Sequence, residues 1–115
     1  MSVLGFNAAL EKQPSEQITI KTNFTDVASN LTVSGYALNS CDVAVFDQTG
    51  ANESGNMIQG SPTVDANNSD VFTCFKAGVD GKNYYARFKA TWTKSLQPDQ
   101  IIERDLQIEV RQKGF

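Results

Sequence analysis

Tyr84, Ala86, Phe88, Ala90 and Trp92 alternate without a break against Tyr85, Arg87, Lys89, Thr91 and Thr93, and no other feature of the chain restricts its fold as tightly. Successive side chains of an extended strand point to opposite faces, so this stretch is a long strand with one wall buried and one wet. The class expected from it is all-β, with a second layer packed on the apolar wall as in a β-sandwich.

The remaining segments extend that reading. Ile18 and Ile20 alternate with Thr19 and Lys21 in a strand reaching Phe24, and Asp26 to Asn30 supplies turn chemistry. Leu31, Val33 and Gly35 start a second strand ending by Asn39-Ser40. Cys41 to Phe46 makes a third, apolar on both faces and therefore expected at the centre of a sheet. Thr49 to Asn56 reads as a loop, with short edge strands at Met57-Ile58 and Thr63-Val64 broken at Pro62. Val71 to Ala77 is a strand, Gly78-Val79-Asp80-Gly81 turns it into the long one, and Gln97-Pro98-Asp99 leads to the last. There Ile102, Leu106, Ile108 and Val110 share a parity, and Arg104 is out of phase. About seven strands with no helical periodicity predict an immunoglobulin-like sandwich of antiparallel strands over residues 15–115.

Ahead of it, Leu4, Phe6 and Leu10 precede Lys12-Gln13-Pro14-Ser15, where Pro14 imposes an extended or turning joint. Residues 1–14 therefore read as an extended N-terminal arm, either a frayed terminus or a segment packing on a neighbouring subunit. Val3, Leu4 and Phe6 are its candidate contact residues. Tyr85 and Arg87, of types favoured at interface hot spots, are the candidates on the wet face of the long strand.

Charge and composition narrow the function classes. The 115 residues fit one domain, and ten basic residues scattered among thirteen acidic ones give a net charge of −3, which argues against nucleic acid as a partner. No apolar run approaches the roughly 20 residues that span a bilayer, so no membrane segment is expected. The N-terminus lacks a basic start followed by a sustained apolar stretch, and synthesis in a cytoplasm is the expectation. The four Asn-x-Ser/Thr sequons, at Asn23, Asn30, Asn52 and Asn67, are accordingly not read as glycan sites. Cys41 and Cys74 lie in predicted strands, which fits two reduced thiols; a cross-sheet disulfide is the alternative.

The chain contains no histidine, so Ser or Cys triads, His-ligated zinc and a neutral-pH imidazole switch are out of reach. The carboxylate pairs Asp42/Asp47 and Glu103/Asp105 read as solvated surface, and Asp65 to Asp70 reads as an Asx-rich turn without EF-hand spacing. A non-enzymatic protein with no catalytic residue, no metal and no cofactor is the expectation.

Two stretches carry a family resemblance. Val71-Phe72-Thr73-Cys74-Phe75, the Gly78-Val79-Asp80-Gly81 turn, Tyr84 to Trp92 and the closing Glu103-Arg104-Asp105-Leu106-Gln107-Ile108-Glu109-Val110 resemble the last three strands of small Ig-like structural proteins of tailed bacteriophages, of the neck, tail or fibre-tail adaptor type. Lys12-Gln13-Pro14-Ser15-Glu16, leading into Ile18-Thr19-Ile20, is similar to the first strand of that group. The resemblance implies a virion component made in the host cytoplasm, present in several copies and joining the portal or tail to fibres or other tail proteins. The rival reading is a carbohydrate- or receptor-binding sandwich, an adhesin or fibre-tip domain, that uses the Asn52 to Asn56 loop.

Overall fold

Eight strands among the described residues stack as two four-stranded sheets, in a computed structural model that describes residues 2–4 by their backbone, together with residues 6 and 8–112. The chain order is β1 (Ser2–Leu4), β2 (Ala9–Lys12), β3 (Ile18–Asn23), α1 (Ser29–Val33), β4 (Ala37–Asp47), α2 (Ser54–Met57), β5 (Thr63–Asp65), β6 (Asp70–Phe75), β7 (Asn83–Thr93) and β8 (Gln100–Val110). One sheet runs β1-β3-β6-β5 and the other β2-β8-β7-β4. The first follows the ABED order of immunoglobulin domains, and the second carries their CFG set with one strand added at its edge. No helix among the described residues is long and apolar enough to cross a membrane.

The alternation in β7 builds the core as expected. Tyr84, Ala86, Phe88, Ala90 and Trp92 are all buried, the last four completely. From the opposite sheet Ile20, Phe24, Val71 and Phe75 meet them, each fully enclosed. Phe24 stands edge-on to Trp92 at 6.3 Å and to Phe88 at 6.5 Å, the arrangement that sets positive ring edges against negative ring faces.

Three expectations change. Residues 1–14 are not a free arm along their described length. β1 pairs in parallel with β3 and β2 in parallel with β8, so the chain starts on one sheet and crosses to the other. The apolar residues that suggested an arm are the reason, because Leu10 is buried and Phe6 inserts between the sheets, 4.9 Å from Phe24 and 5.4 Å from Phe88. The expected second strand is the helical turn α1 instead, since Ala28 N–H bonds to Phe24 O and Thr32 N–H to Ala28 O, coiling the chain before Gly35 releases it at φ +93°. The third strand begins earlier, at Ala37, and lies at the edge of its sheet. A register shift between Leu38 and Ser40 restores the inward phase for Cys41 and Val45.

Arg104 is explained by where β2 stops. β2 covers β8 only from Gln107 to Val110, so the first half of β8 is an open edge, and there an inward-parity side chain reaches solvent. Arg104 is exposed and donates to the Glu103 carbonyl at 2.7 Å.

The turn before β7 is clamped from two sides. The N–H of Val79, five residues before Tyr84, donates to the Tyr84 hydroxyl at 3.0 Å, the geometry of a tyrosine corner. Lys12, only 3% exposed, donates from Nζ to the carbonyls of Gln13 (2.7 Å) and Ala77. Burial holds its ammonium below the ordinary lysine value, with Glu16 pulling it partly back. Replacing Lys12 by Met is expected to lower stability by about 1–3 kcal/mol, the cost of leaving buried carbonyl groups without a donor; urea unfolding of the variant measures it.

Cys41 and Cys74 are both free and lie in different sheets, on β4 and β6. Cys41 faces the core, while Cys74 stands half-buried on the outer face of β6. Burial, aided by Asp42, pushes the Cys41 thiol up to about 12. Its stabilising contribution is thus complete below pH 9.0, the ordinary thiol value, and is lost as pH rises from there through about 12. Two results are expected: a thiol reagent labels Cys74 well before Cys41 in the native protein, and Cys41→Val flattens the loss of stability above pH 9. Equal labelling rates would contradict the burial of Cys41.

Candidate functional site

The outer face of the β2-β8-β7-β4 sheet gathers side chains that the sequence leaves scattered. Tyr85 of β7 lies opposite Phe46 of β4, and Arg87 lies opposite Asp105 of β8. The two rings stack at 5.3 Å with 24° between their planes. The Arg87 guanidinium sits 5.5 Å from both ring centres and bonds through Nε to Asp105 Oδ1 at 3.1 Å. Asp105 raises the Arg87 pKa further above its already high value, so the cation is permanent and its charge is answered locally. Cation–π contact and ion pair together hold four side chains in one arrangement on an otherwise mobile kind of surface.

Beside this cluster, where the chain crosses between sheets after Phe6, opens a cleft of about 540 Å³. Asn83 and Tyr85 line it from β7, Gln107 from β8, Ala9 and the preceding Ala8 from the start of β2, and Gln48 from just past the end of β4.

The opposite end of the molecule is apolar in a different way. Leu96 is 98% exposed, Val33 88% and Ile101 56%; with Val79 they make up the exposed large apolar side chains among the described residues. Leu96 sits in the β7–β8 turn at φ +63°, a left-handed conformation costing a residue with a Cβ about 1–2 kcal/mol. Val33 ends α1, which is tied to that turn: Lys94 Nζ donates to Ser34 O at 2.6 Å and the Tyr36 hydroxyl to Pro98 O at 3.4 Å. Leu96 and Val33 therefore lie at one end of the body, where Ile101 is the second residue of β8, about 26 Å along β7 from Tyr85 to Thr93 at the strand rise of about 3.3 Å per residue.

The sequence-predicted residues divide accordingly. Tyr85 and Arg87 are together on the outer face; Phe46 and Asp105 complete their cluster and lie on other strands, so only register could have revealed them. Phe6 turns inward. Val3 and Leu4 lie in β1 by backbone, and their side chains are outside the described residues.

The other polar features serve the fold. The Asn52–Asn56 loop is laid against β4 through Glu53 N–H to Val45 O (2.7 Å) and Val45 N–H to Ser54 Oγ (2.8 Å), with Asn56 bonded to Glu53. Asp47 accepts from Thr49 and Ala51, and Asp65 from Asn67 and Asn68, which holds both carboxyls below their ordinary value. A second concavity, of about 590 Å³, is lined by Lys21, Asn23, Asn68 and Asp70, whose polar groups bond to one another. Among the described residues no three His, Cys, Asp or Glu side chains are grouped to hold a metal ion. No protein-family model matches the chain, and no curated protein matches it.

Proposed function

We propose that the chain is a non-enzymatic joining module of a tailed-bacteriophage virion, present in several copies and set between the portal or tail and the fibres or other tail proteins. The observation that carries this reading is the tip. A body 54 Å long and 26 by 23 Å across is stiffened by three eleven-residue strands and ends in Leu96, Val33 and Ile101. Exposed apolar side chains gathered at one end of an elongated body are what a docking contact uses and what a freely dissolved domain avoids. Leu96 supports the same reading from its backbone, since strain held at an exposed position is retained where another protein uses it. The resemblance of the last three strands to phage neck and tail proteins supplies the kind of partner.

Leu96→Gly separates docking from folding. Glycine accepts φ +63° without steric cost, so the variant is expected to be as stable as the parent or more so, by up to about 1 kcal/mol. Particles supplied only with this variant, or with Leu96→Asp, are expected to incorporate it at less than a tenth of the parental level. Normal incorporation of both variants would refute docking through the tip.

A further inference from the structure

We infer that the cleft beside Tyr85 is a binding site for a neutral saccharide. The ring supplies the floor. Phe46 packs on Tyr85 from the β4 side, and the cleft, lined by Tyr85 and Gln107 but not by Phe46, lies on the β8 side. Phe46 and Arg87 thus hold the Tyr85 ring in place before any ligand arrives, which removes an ordering cost from binding. A pyranose carries its C–H bonds on one face and its hydroxyls around the rim. The C–H face matches an aromatic floor.

The rim matches the hydroxyls. Gln48 and Gln107 bring amides, each with donors and an acceptor, and Asn83 brings its amide donors, its oxygen being held by Arg111 at 2.7 Å; a sugar hydroxyl both donates and accepts. Asp105 adds a carboxylate, of which Oδ2 meets Arg87 only at 3.5 Å and keeps acceptor capacity toward the cleft. The volume, about 540 Å³, falls within the range of about 300–1,000 Å³ usual for small-molecule sites. Charge decides the class of sugar. Among the described residues no Lys or Arg lines the cleft, and the one acid that does is already paired with Arg87 at 3.1 Å. A phosphorylated or carboxylated ligand would therefore find no cation free to receive it, whereas an uncharged hexose loses nothing. This site replaces the Asn52–Asn56 loop as the place where a sugar would be held, and it stands or falls independently of docking through the tip.

The test is a two-dimensional amide NMR titration of the full chain with glucose, galactose, mannose, N-acetylglucosamine, maltose and lactose, each tried singly, and with glucose 6-phosphate. At least one neutral sugar is expected to shift the resonances of Asn83, Tyr85 and Gln107 saturably, with glucose 6-phosphate at least tenfold weaker than glucose. Tyr85→Ala is expected to weaken the best sugar at least tenfold, and Gln107→Ala severalfold, with unchanged spectra elsewhere; the second variant keeps the test valid if the first perturbs the sheet. The inference is overturned if none of the six sugars shifts these residues, if both variants bind like the parent, or if the phosphorylated sugar binds better.

Discussion

Deleting residues 2–12 is expected to unfold the domain rather than trim it. The segment carries Leu10, buried at 6% exposure, and Phe6, which sits edge-on to Phe24 and Phe88 in the middle of the aromatic core. Truncating a buried Leu costs about 2–5 kcal/mol and a buried Phe about 3–5 kcal/mol, and Phe6, half-buried, falls at the lower end. The deletion also strips β2 from β8 and β1 from β3, exposing two strand edges, and removes the Lys12 bonds to the turn before β7. Against a total stability of about 5–15 kcal/mol for a domain of this size, the loss takes most or all of what there is. Near-ultraviolet circular dichroism and urea unfolding of the shortened chain check it: a weak spectrum with no cooperative transition is expected, and a transition at the parental midpoint would show that the segment contributes nothing to the core.

Gly78→Ala is the single substitution with the largest expected effect. Gly78 lies at φ +99°, and a Cβ built there would fall 2.8 Å from Val110 Cγ2 and 3.1 Å from the Met57 methyl. Left-handed backbone costs a residue with a Cβ about 1–2 kcal/mol, and forcing an extra methyl into packed surroundings adds about 1–3 kcal/mol. Val110 has no room to yield, being fully buried and paired through Lys12 and the Gly81 amide. A loss of about 2–5 kcal/mol is expected in urea unfolding. Gly50→Ala is the control, because its φ of +89° carries the backbone strain but nothing lies within 4 Å of the added carbon; its smaller loss isolates the strain, and equal losses would mean that the Val110 contact is not felt.

What could be read from the sequence was the part governed by alternation. β3, β6, β7 and β8 were legible because each buries one wall, as with Ile20 and Thr22 or Ala86 and Phe88, and the turn glycines Gly78 and Gly81 marked the corner between them. The reading failed where apolar residues are spaced without a period that selects one structure. Leu31 and Val33 stand two apart and suit a strand, but the bonds from Phe24 and Ala28 coil that stretch into α1. Cys41 to Phe46 is apolar on both faces for two unrelated reasons, the core on one side and the Tyr85 ring on the other, so an edge strand looked like a central one.

Most of the candidate sites depend on register, which no local pattern encodes. Tyr85 and Arg87 could be picked out as unusual on a wet face, yet Phe46 and Asp105 join them only because β4 and β8 pair with β7 in one alignment and no other. The tip was hidden for a similar reason. Leu96 beside Gln97-Pro98 looks like one apolar residue in a loop, and neither its exposure nor the Lys94 bond to Ser34 that ties α1 to the β7–β8 turn is visible in the local sequence.

The most direct test of the proposed joining role is a cryo-electron density map of the assembled phage particle. The account predicts an eight-stranded sandwich in several symmetry-related copies at the neck or tail, with the turn around Leu96 buried against another virion protein. Density in which this domain is absent from the particle, or is present with the Leu96 turn facing open solvent, would contradict it.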